Sequence, residues 1–176
     1  MKHTYFLISI ILACSVSLVR AARPDPNTIH SDFNSTPDQR TDLVWRNRIT
    51  GKSQIWYMNG LDLKAGSPPR DIVDVNGVVI ANPVPAGGNP DLGWRTVGSG
   101  FVDGDTIPDI IWQDMNDKHV AVWYMGGTDG SVMTASYNNP SAAAPGWRLV
   151  GVGYFNDDAV LDLLWENVST PGYVVG

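Results

Sequence analysis

The sequence predicts an all-β protein, and three observations support this fold class. Glycine and proline are abundant, with 18 and 12 residues in a chain of 176, and few residues favour long helices. The apolar runs are short, rich in β-branched side chains and flanked by glycines. The 7 tryptophans all lie in short phrases that recur along the chain. Short strands joined by many turns are therefore expected.

The first residues predict export from the cell. A short basic start is followed by a mostly apolar run, Tyr5–Val19, and by a small-residue cleavage point before Ala22. We therefore expect a signal peptide over residues 1–21 and a secreted, extracellular domain over residues 22–176 that has no membrane span. A lipoprotein cut before Cys14 is the alternative, and the apolar run that continues past this cysteine argues against it.

Cysteine content and charge narrow the function classes. Cys14 is the only cysteine and lies inside the predicted signal peptide, so the mature chain is expected to hold no disulfide. Its stability must then come from packing, metal binding or assembly. The formal net charge is -6. An acidic surface argues against nucleic acid and anionic membranes as partners, and it suits divalent cations.

Three phrases recur along the chain and define a repeat. The copies are Gly93–Gly100 and Gly146–Gly153; Asp42–Trp45, Asp109–Trp112 and Asp162–Trp165; and Ile55–Gly60 and Val122–Gly127. The spacing is uneven, since 67 residues separate Trp45 from Trp112 and 53 separate Trp112 from Trp165. The extra length falls in the segment 61–92, which is rich in proline, glycine and asparagine. We expect loops there around one strand, Gly77–Ile80.

Each repeat is expected to contain four strands. The first carries Gly-Trp-Arg, the second Asp-x-x-Trp and the third Trp-Tyr-Met, and a variable outer strand closes the unit. Four strands in roughly 50 to 65 residues is the size of a propeller blade. The sequence thus predicts a partial β-propeller of about three four-stranded blades, an incomplete ring, with blades near 31–92 and 93–145 and a truncated one at 146–176.

Two of the predicted strands are apolar on both sides. Val120–Met125 does not alternate apolar and polar residues, and Asp109–Trp112 does not alternate beyond its first residue. Strands of this kind are covered on both faces, as in blades that pack against neighbouring blades. This pattern favours a propeller over a sandwich with one wet face.

An acidic turn lies between the first and second strands of each unit. Side-chain oxygens at alternate positions of a turn can converge on one point, and calcium binds about six to eight such oxygens. The alternative is a structural turn without metal, in which the carboxylates cap main-chain N–H groups. The residues themselves leave both possibilities open.

The phrases resemble the FG-GAP or VCBS-type repeat of integrin α-subunit propellers and of many secreted bacterial proteins. The matching residues are Asp32-Phe33-Asn34, Asp109–Trp112 and Trp56–Gly60. The resemblance implies propeller blades, calcium-stabilised turns, and a role in binding or adhesion rather than catalysis. This sequence departs from the family pattern at Phe101 and Tyr154, where the family has its first aspartate.

The resemblance also implies a set of calcium ligands by position. In the first unit, which carries about two extra residues in its turn, they are Asp32, Asn34, Asp38 and Asp42. In the second and third units they are Asp103, Asp105 and Asp109, and Asn156, Asp158 and Asp162.

Two functions follow as expectations. The first is a secreted, non-catalytic binding or adhesion module with an extracellular protein partner, and the alternative is a lectin-like propeller of several chains that binds glycans between blades. No enzyme is expected, because His30 and His119 stand apart and no Gly-x-Ser-x-Gly elbow occurs. The tryptophans are interpreted as packing residues. Because an open stack of blades exposes apolar faces, self-association is expected, with capture of another protein or a truncated product as alternatives.

Overall fold

The structure is a computed structural model that describes residues 31–34, 38, 40–47, 49–81, 93–139, 145–156, 158 and 160–168. The predicted signal peptide and Cys14 lie outside these residues. The described part contains strands and turns with no helix, so it holds no helix long and apolar enough to cross a membrane. The predicted all-β class is confirmed.

The described part of the chain contains twelve strands. They are β1 (Leu43–Arg46), β2 (Ser53–Trp56), β3 (Met58–Asn59), β4 (Asp62–Leu63), β5 (Arg70–Asp71), β6 (Val73–Asp74), β7 (Trp94–Gly100), β8 (Asp109–Asp114), β9 (Val120–Gly126), β10 (Val132–Asn138), β11 (Trp147–Gly153) and β12 (Asp162–Asn167). We call the described segments 31–81, 93–139 and 145–168 units 1, 2 and 3.

The strands form four open sheets. The largest has five strands in the order β6-β10-β9-β8-β7, and a three-stranded sheet has the order β1-β2-β5. The pairs β11-β12 and β3-β4 form the other two sheets. Apart from the parallel contact of β6 with β10, the paired strands are antiparallel.

The hairpins β7–β8 and β11–β12 have the same register. Trp94 lies opposite Asp114, and Trp147 lies opposite Asn167 at the equivalent position of unit 3. Both ladders shift register at the same point, after Thr96 in unit 2 and after Leu149 in unit 3. A bulge at this point increases the local twist of the strand. The two copies of the Gly-Trp-Arg phrase therefore adopt one local geometry.

Strand β8 is covered on both faces, as its sequence predicts. Ile110 is 0% exposed and Ile111 is 1% exposed, although their side chains point to opposite sides of the sheet. One side belongs to a core that joins units 1 and 2, where Ile55 lies with Trp112. The other side belongs to a core that joins units 2 and 3 around Leu149.

The segment after β4 differs from its prediction. It contains β5 and β6 in place of a single strand at Gly77–Ile80, and Val79 makes only an isolated bridge to Val73. The carboxylate of Asp74 accepts the N–H groups of residues 76 and 78, and this forms a turn where the strand was expected.

This segment also connects two sheets. β5 pairs with β2 of unit 1, whereas β6 pairs with β10 of unit 2, and the fully buried Ile72 lies between the two short strands. The sheet of unit 2 consequently has a fifth strand beyond the four expected, because the preceding segment supplies it.

Candidate functional site

The last aspartate of each acidic turn occupies one structural position, at the start of β8 in unit 2. Asp109 is 0% exposed. Its Oδ2 accepts the N–H of Val102 at 2.9 Å, and its Oδ1 accepts the N–H of Met125 at 3.0 Å. One carboxylate thus joins the turn before β8 to the strand β9 that follows it. We call this arrangement the aspartate staple.

The staple recurs in the other units. In unit 1, Asp42 accepts the N–H of Phe33 at 2.9 Å on Oδ2 and that of Met58 at 2.9 Å on Oδ1. The second donor lies 16 residues after the aspartate in both units. In unit 3, Oδ2 of Asp162 accepts the N–H of Phe155 at 2.8 Å. The same oxygen therefore closes the turn in all three units.

The carboxylates earlier in the turn bind the main chain. In unit 2, Asp103 accepts the N–H of Asp105 at 3.1 Å, and Asp105 accepts the N–H of Ile107 at 2.8 Å. Asn156 and Asp158 make the same two bonds in unit 3, both at 2.9 Å. These are Asx-type turns, in which a side-chain oxygen holds the backbone two residues further on.

Unit 1 arranges its predicted ligands differently. Asp32 is buried and accepts both the N–H and the side-chain amide of Asn34, and the same amide also contacts Oδ2 of Asp42 at 3.3 Å. Asp38 instead forms an ion pair with Lys64 at 2.7 Å. The structure thus brings three of the four predicted residues together, and a lysine contacts the fourth.

Burial and like charge act on the turn carboxylates. Burial raises the pKa of Asp109 to about 6, against the effect of its three main-chain hydrogen bonds, and the charge of Asp103 adds to the increase. Burial also raises the pKa of Asp105, with Asp103 again contributing. In unit 1 the hydrogen bond from Lys64 lowers the pKa of Asp38. Burial also raises the pKa of Asp42 in that unit, with the charges of Asp32 and Asp38 contributing, so like charge acts in both turns.

The turn of unit 2 offers calcium the hard oxygen donors that it prefers. Gly104 adopts φ 84° between Asp103 and Asp105, a conformation that suits glycine. Across the described residues, however, no three histidine, cysteine, aspartate or glutamate side chains converge as a metal-binding group. In unit 3, residues 157 and 159 of the turn lie outside the described part.

A contact between units 2 and 3 was not anticipated from the sequence. Nη2 of Arg95 donates to the carbonyl of Leu149 at 2.9 Å, and Oε1 of Gln113 accepts the N–H of the same residue at 3.0 Å. In unit 3 the equivalent arginine makes a different contact. Arg148 instead pairs with Glu166 at 2.6 Å. The recurrence of the arginine in the Gly-Trp-Arg phrase could have indicated a role in this contact, but no sequence feature pointed to Gln113.

Two clefts open on the surface. One, of about 500 Å³, lies where β1, β7 and β11 approach one another, and Ser31 and Ser99 meet there with their hydroxyl oxygens 3.0 Å apart. The other, of about 360 Å³, lies on unit 1 and is lined by Trp45, Trp56 and polar side chains that include Lys52, Gln54 and Asp71.

Tryptophan burial only partly follows the packing interpretation. Trp112 is 0% exposed and its ring centroid lies 4.7 Å from that of Trp123. Trp45 and Trp56 form the equivalent pair in unit 1, at 5.1 Å, yet Trp45 is 50% exposed. Matching phrases therefore give one buried tryptophan pair and one partly exposed pair.

Compared with protein-family models, with curated proteins and with solved structures, the chain has no significant match. The family resemblance consequently depends on the recurring phrases of the sequence.

Proposed function

We propose that this chain is a secreted, non-catalytic binding or adhesion module, a partial β-propeller whose acidic turns are supported by calcium. The observation that carries the proposal is the aspartate staple. Asp42 and Asp109 use the same two oxygens to hold the same two main-chain positions in successive units. Repeated polar residues with a common scaffold role are typical of a repeat protein that presents its loops to a partner.

The environment of the staple favours a scaffold role over acid–base catalysis. A general acid or base must reach a substrate proton within hydrogen-bonding distance. Asp109 is buried and both of its oxygens bind main-chain N–H groups. A raised pKa alone is also found at catalytic carboxylates, but here it follows from burial inside the sheet.

Calcium is proposed to bind first at the turn of unit 2, through Asp103, Asp105 and Asp109. The support is electrostatic, because the charge of Asp103 raises the pKa of both other carboxylates and a divalent cation would relieve that repulsion. The bound ion would supply positive charge and would hold the turn together in place of a disulfide.

Calorimetry and thermal melts test the calcium proposal. The full chain is titrated with calcium and melted with calcium or with a chelator, and the melting temperature should rise with calcium because the ion binds the folded state. Asp103→Asn should remove most of this rise, whereas Asp62→Asn, an exposed aspartate outside the turns, should keep it. The proposal would be contradicted if calcium produced no heat of binding and no shift in the melting temperature of the unaltered chain.

A calcium-dependent pull-down from the extracellular medium tests the binding role itself. The bait is the full chain, and the same bait with chelator is the control. One protein recovered in calcium and lost with chelator or with Asp103→Asn would support the module. If the protein is still recovered with chelator and with Asp103→Asn, partner binding does not depend on calcium in the turns.

The cleft on unit 1 favours a lectin-like function as the second candidate. Its exposed tryptophan face offers a stacking surface, and Gln54 donates to Asp71 at 2.7 Å beside it. Aromatic faces with a few fixed polar groups are characteristic of ligand sites. A glycan array tests the idea, with Trp45→Ala expected to abolish a saccharide-specific signal and Trp147→Ala, 38% exposed in unit 3, expected to retain it.

A further inference from the structure

The units pack on one another with a single polarity. Successive side chains of a strand point to opposite sides of the sheet. The second strand of each unit, which carries the Asp-x-x-Trp phrase, therefore has two faces. We call the side with the tryptophan of the Asp-x-x-Trp phrase the head face and the opposite side the tail face. In unit 2, Trp112 belongs to the head face and Ile111 to the tail face.

Two junctions within the chain join a tail face to a head face. At the first, Ile55 and Tyr57 of unit 1 share a buried core with Trp112 and Trp123 of unit 2. At the second, Ile111 and Val120 of unit 2 share a core with Leu149 of unit 3, against which Trp165 packs. The following unit thus always presents its tryptophan side to the preceding one.

One face of each kind is left exposed. On the head face of unit 1, Leu43 is 39% exposed and Trp45 is 50% exposed. On the tail face of unit 3, Val150 is 39% exposed and Leu164 is 48% exposed. At the corresponding positions of unit 2, buried in the two junctions, Trp112 is 0% exposed and Ile111 is 1% exposed. The head face of unit 1 and the tail face of unit 3 thus correspond to the two kinds of face that pack together at the junctions within the chain.

The exposed head face already has the geometry of a buried one. Trp45 and Trp56 lie 5.1 Å apart at an interplanar angle of 41°, and the buried pair in unit 2 lies 4.7 Å apart at 52°. A partner that fits the buried tryptophan pair would therefore find a similar pair of rings on unit 1.

The exposed tail face carries polar groups at the positions of an observed clamp. Across the second junction, Arg95 and Gln113 bind the carbonyl and the N–H of Leu149. Arg148 and Glu166 stand at the same positions of unit 3 and pair with each other, at 2.6 Å, on the surface. An arginine and a glutamate can likewise donate to a carbonyl and accept from an N–H group.

We infer that copies of this chain associate head to tail, with the tail face of unit 3 packing on the head face of unit 1 of a second copy. The second copy is the fitting occupant because it supplies an apolar face of each kind, as at the two junctions within the chain. The described part of unit 1 has no counterpart of β11, so its head face offers side chains of β1 and β2. Such a contact is heterologous, so successive copies close into a ring or extend as a filament. The inference needs neither calcium nor a glycan.

Light scattering on the full secreted chain tests the association, with Trp45→Asp to block the head face and Leu164→Asp to block the tail face. The unaltered chain should have the mass of two or more copies, and each variant alone should be monomeric. Mixed together, the variants should form a one-to-one dimer and stop there, because only one intact head and one intact tail remain. Leu61→Asp, at a residue 98% exposed, should assemble like the unaltered chain.

The inference is overturned if the unaltered chain stays monomeric up to its highest soluble concentration. It is equally overturned if either variant alone still assembles, or if folded variants fail to dimerise when mixed. Circular dichroism checks that each variant is folded. If an aspartate unfolds the chain, Trp45→Thr and Leu164→Thr replace the pair, since threonine suits a strand and still removes the apolar surface. Calcium titration of the monomeric variants tests the proposed function separately.

Discussion

Asp109→Asn should change how stability depends on pH. The folded protein holds this carboxyl at a pKa of about 6, against an ordinary value of 3.8, because burial outweighs its main-chain hydrogen bonds. One pKa unit corresponds to about 1.4 kcal/mol, so ionising the buried group costs the fold about 3 kcal/mol. The asparagine side chain does not titrate.

The direction follows from proton linkage. Between pH 3.8 and 6 the folded state binds more protons at Asp109 than the unfolded state does. The contribution of this group to stability is therefore fully present below pH 3.8 and is lost as the pH rises through about 6. The difference in unfolding free energy between the unaltered chain and Asp109→Asn should shift by about 2.4 kcal/mol in favour of the unaltered chain from pH 7 to pH 4, since the full effect is reached only below pH 3.8.

Denaturant unfolding at several pH values, with chelator present, measures this difference. Carboxyl groups remote from Asp109 titrate alike in both proteins, so they cancel in the comparison. Asp62→Asn, at an exposed position, is the control for loss of one negative charge. A difference that stays constant with pH, or that shifts in favour of the variant on acidification, would refute the reasoning, since it would mean that the hydrogen bonds match or outweigh burial.

Three further substitutions, two of them with a matched control variant, test the packing and the contacts between units. Ile111→Ala should lower the unfolding free energy by about 2–5 kcal/mol because it leaves a cavity at a buried site. Leu164→Ala, at the exposed equivalent position, should have a much smaller effect. Denaturant unfolding measures both values. Arg95→Ala should cost about 1–3 kcal/mol because the carbonyl of Leu149 loses its donor, and Arg148→Ala should cost less than about 1 kcal/mol because its ion pair is exposed. Tyr57→Phe removes the hydroxyl that donates to the carbonyl of residue 129 at 2.6 Å and should cost about 1 kcal/mol, observed as a lower melting temperature.

The strands and turns of unit 2 followed well from local sequence. Three of the predicted strand phrases form β7, β8 and β9, and the acidic turn lies between the first two of them. Glycine, aspartate and β-branched residues act over a few neighbouring positions, which is why their pattern was informative.

The segment before unit 2 was predicted less well. The sequence around Asp74 contains a turn former where a strand was expected, and β6 adds to a sheet whose other strands lie much later in the chain. Pairing with a distant strand depends on the three-dimensional approach of two edges, and no local pattern encodes it.

The candidate site shows the same division. The sequence identified the turn carboxylates, including Asp109, but not the main-chain donors that bind them. Met125 lies 16 residues away and reaches Asp109 only because β9 pairs with β8. Gln113 was missed for a similar reason, since its partner Leu149 belongs to another unit.

By itself, the sequence determined that this chain is built of strands, with an aspartate at the start of each recurring Asp-x-x-Trp strand, because strand propensity and turn chemistry act between neighbouring residues. The sequence also predicted that β8 is covered on both faces, but only the tertiary structure decided which of the recurring strands have both faces covered. Trp45 and Trp112 occur in matching phrases, yet one is half exposed and the other is fully buried. The physical reason is that burial belongs to a pair of surfaces, and unit 2 has units 1 and 3 packed on its two faces.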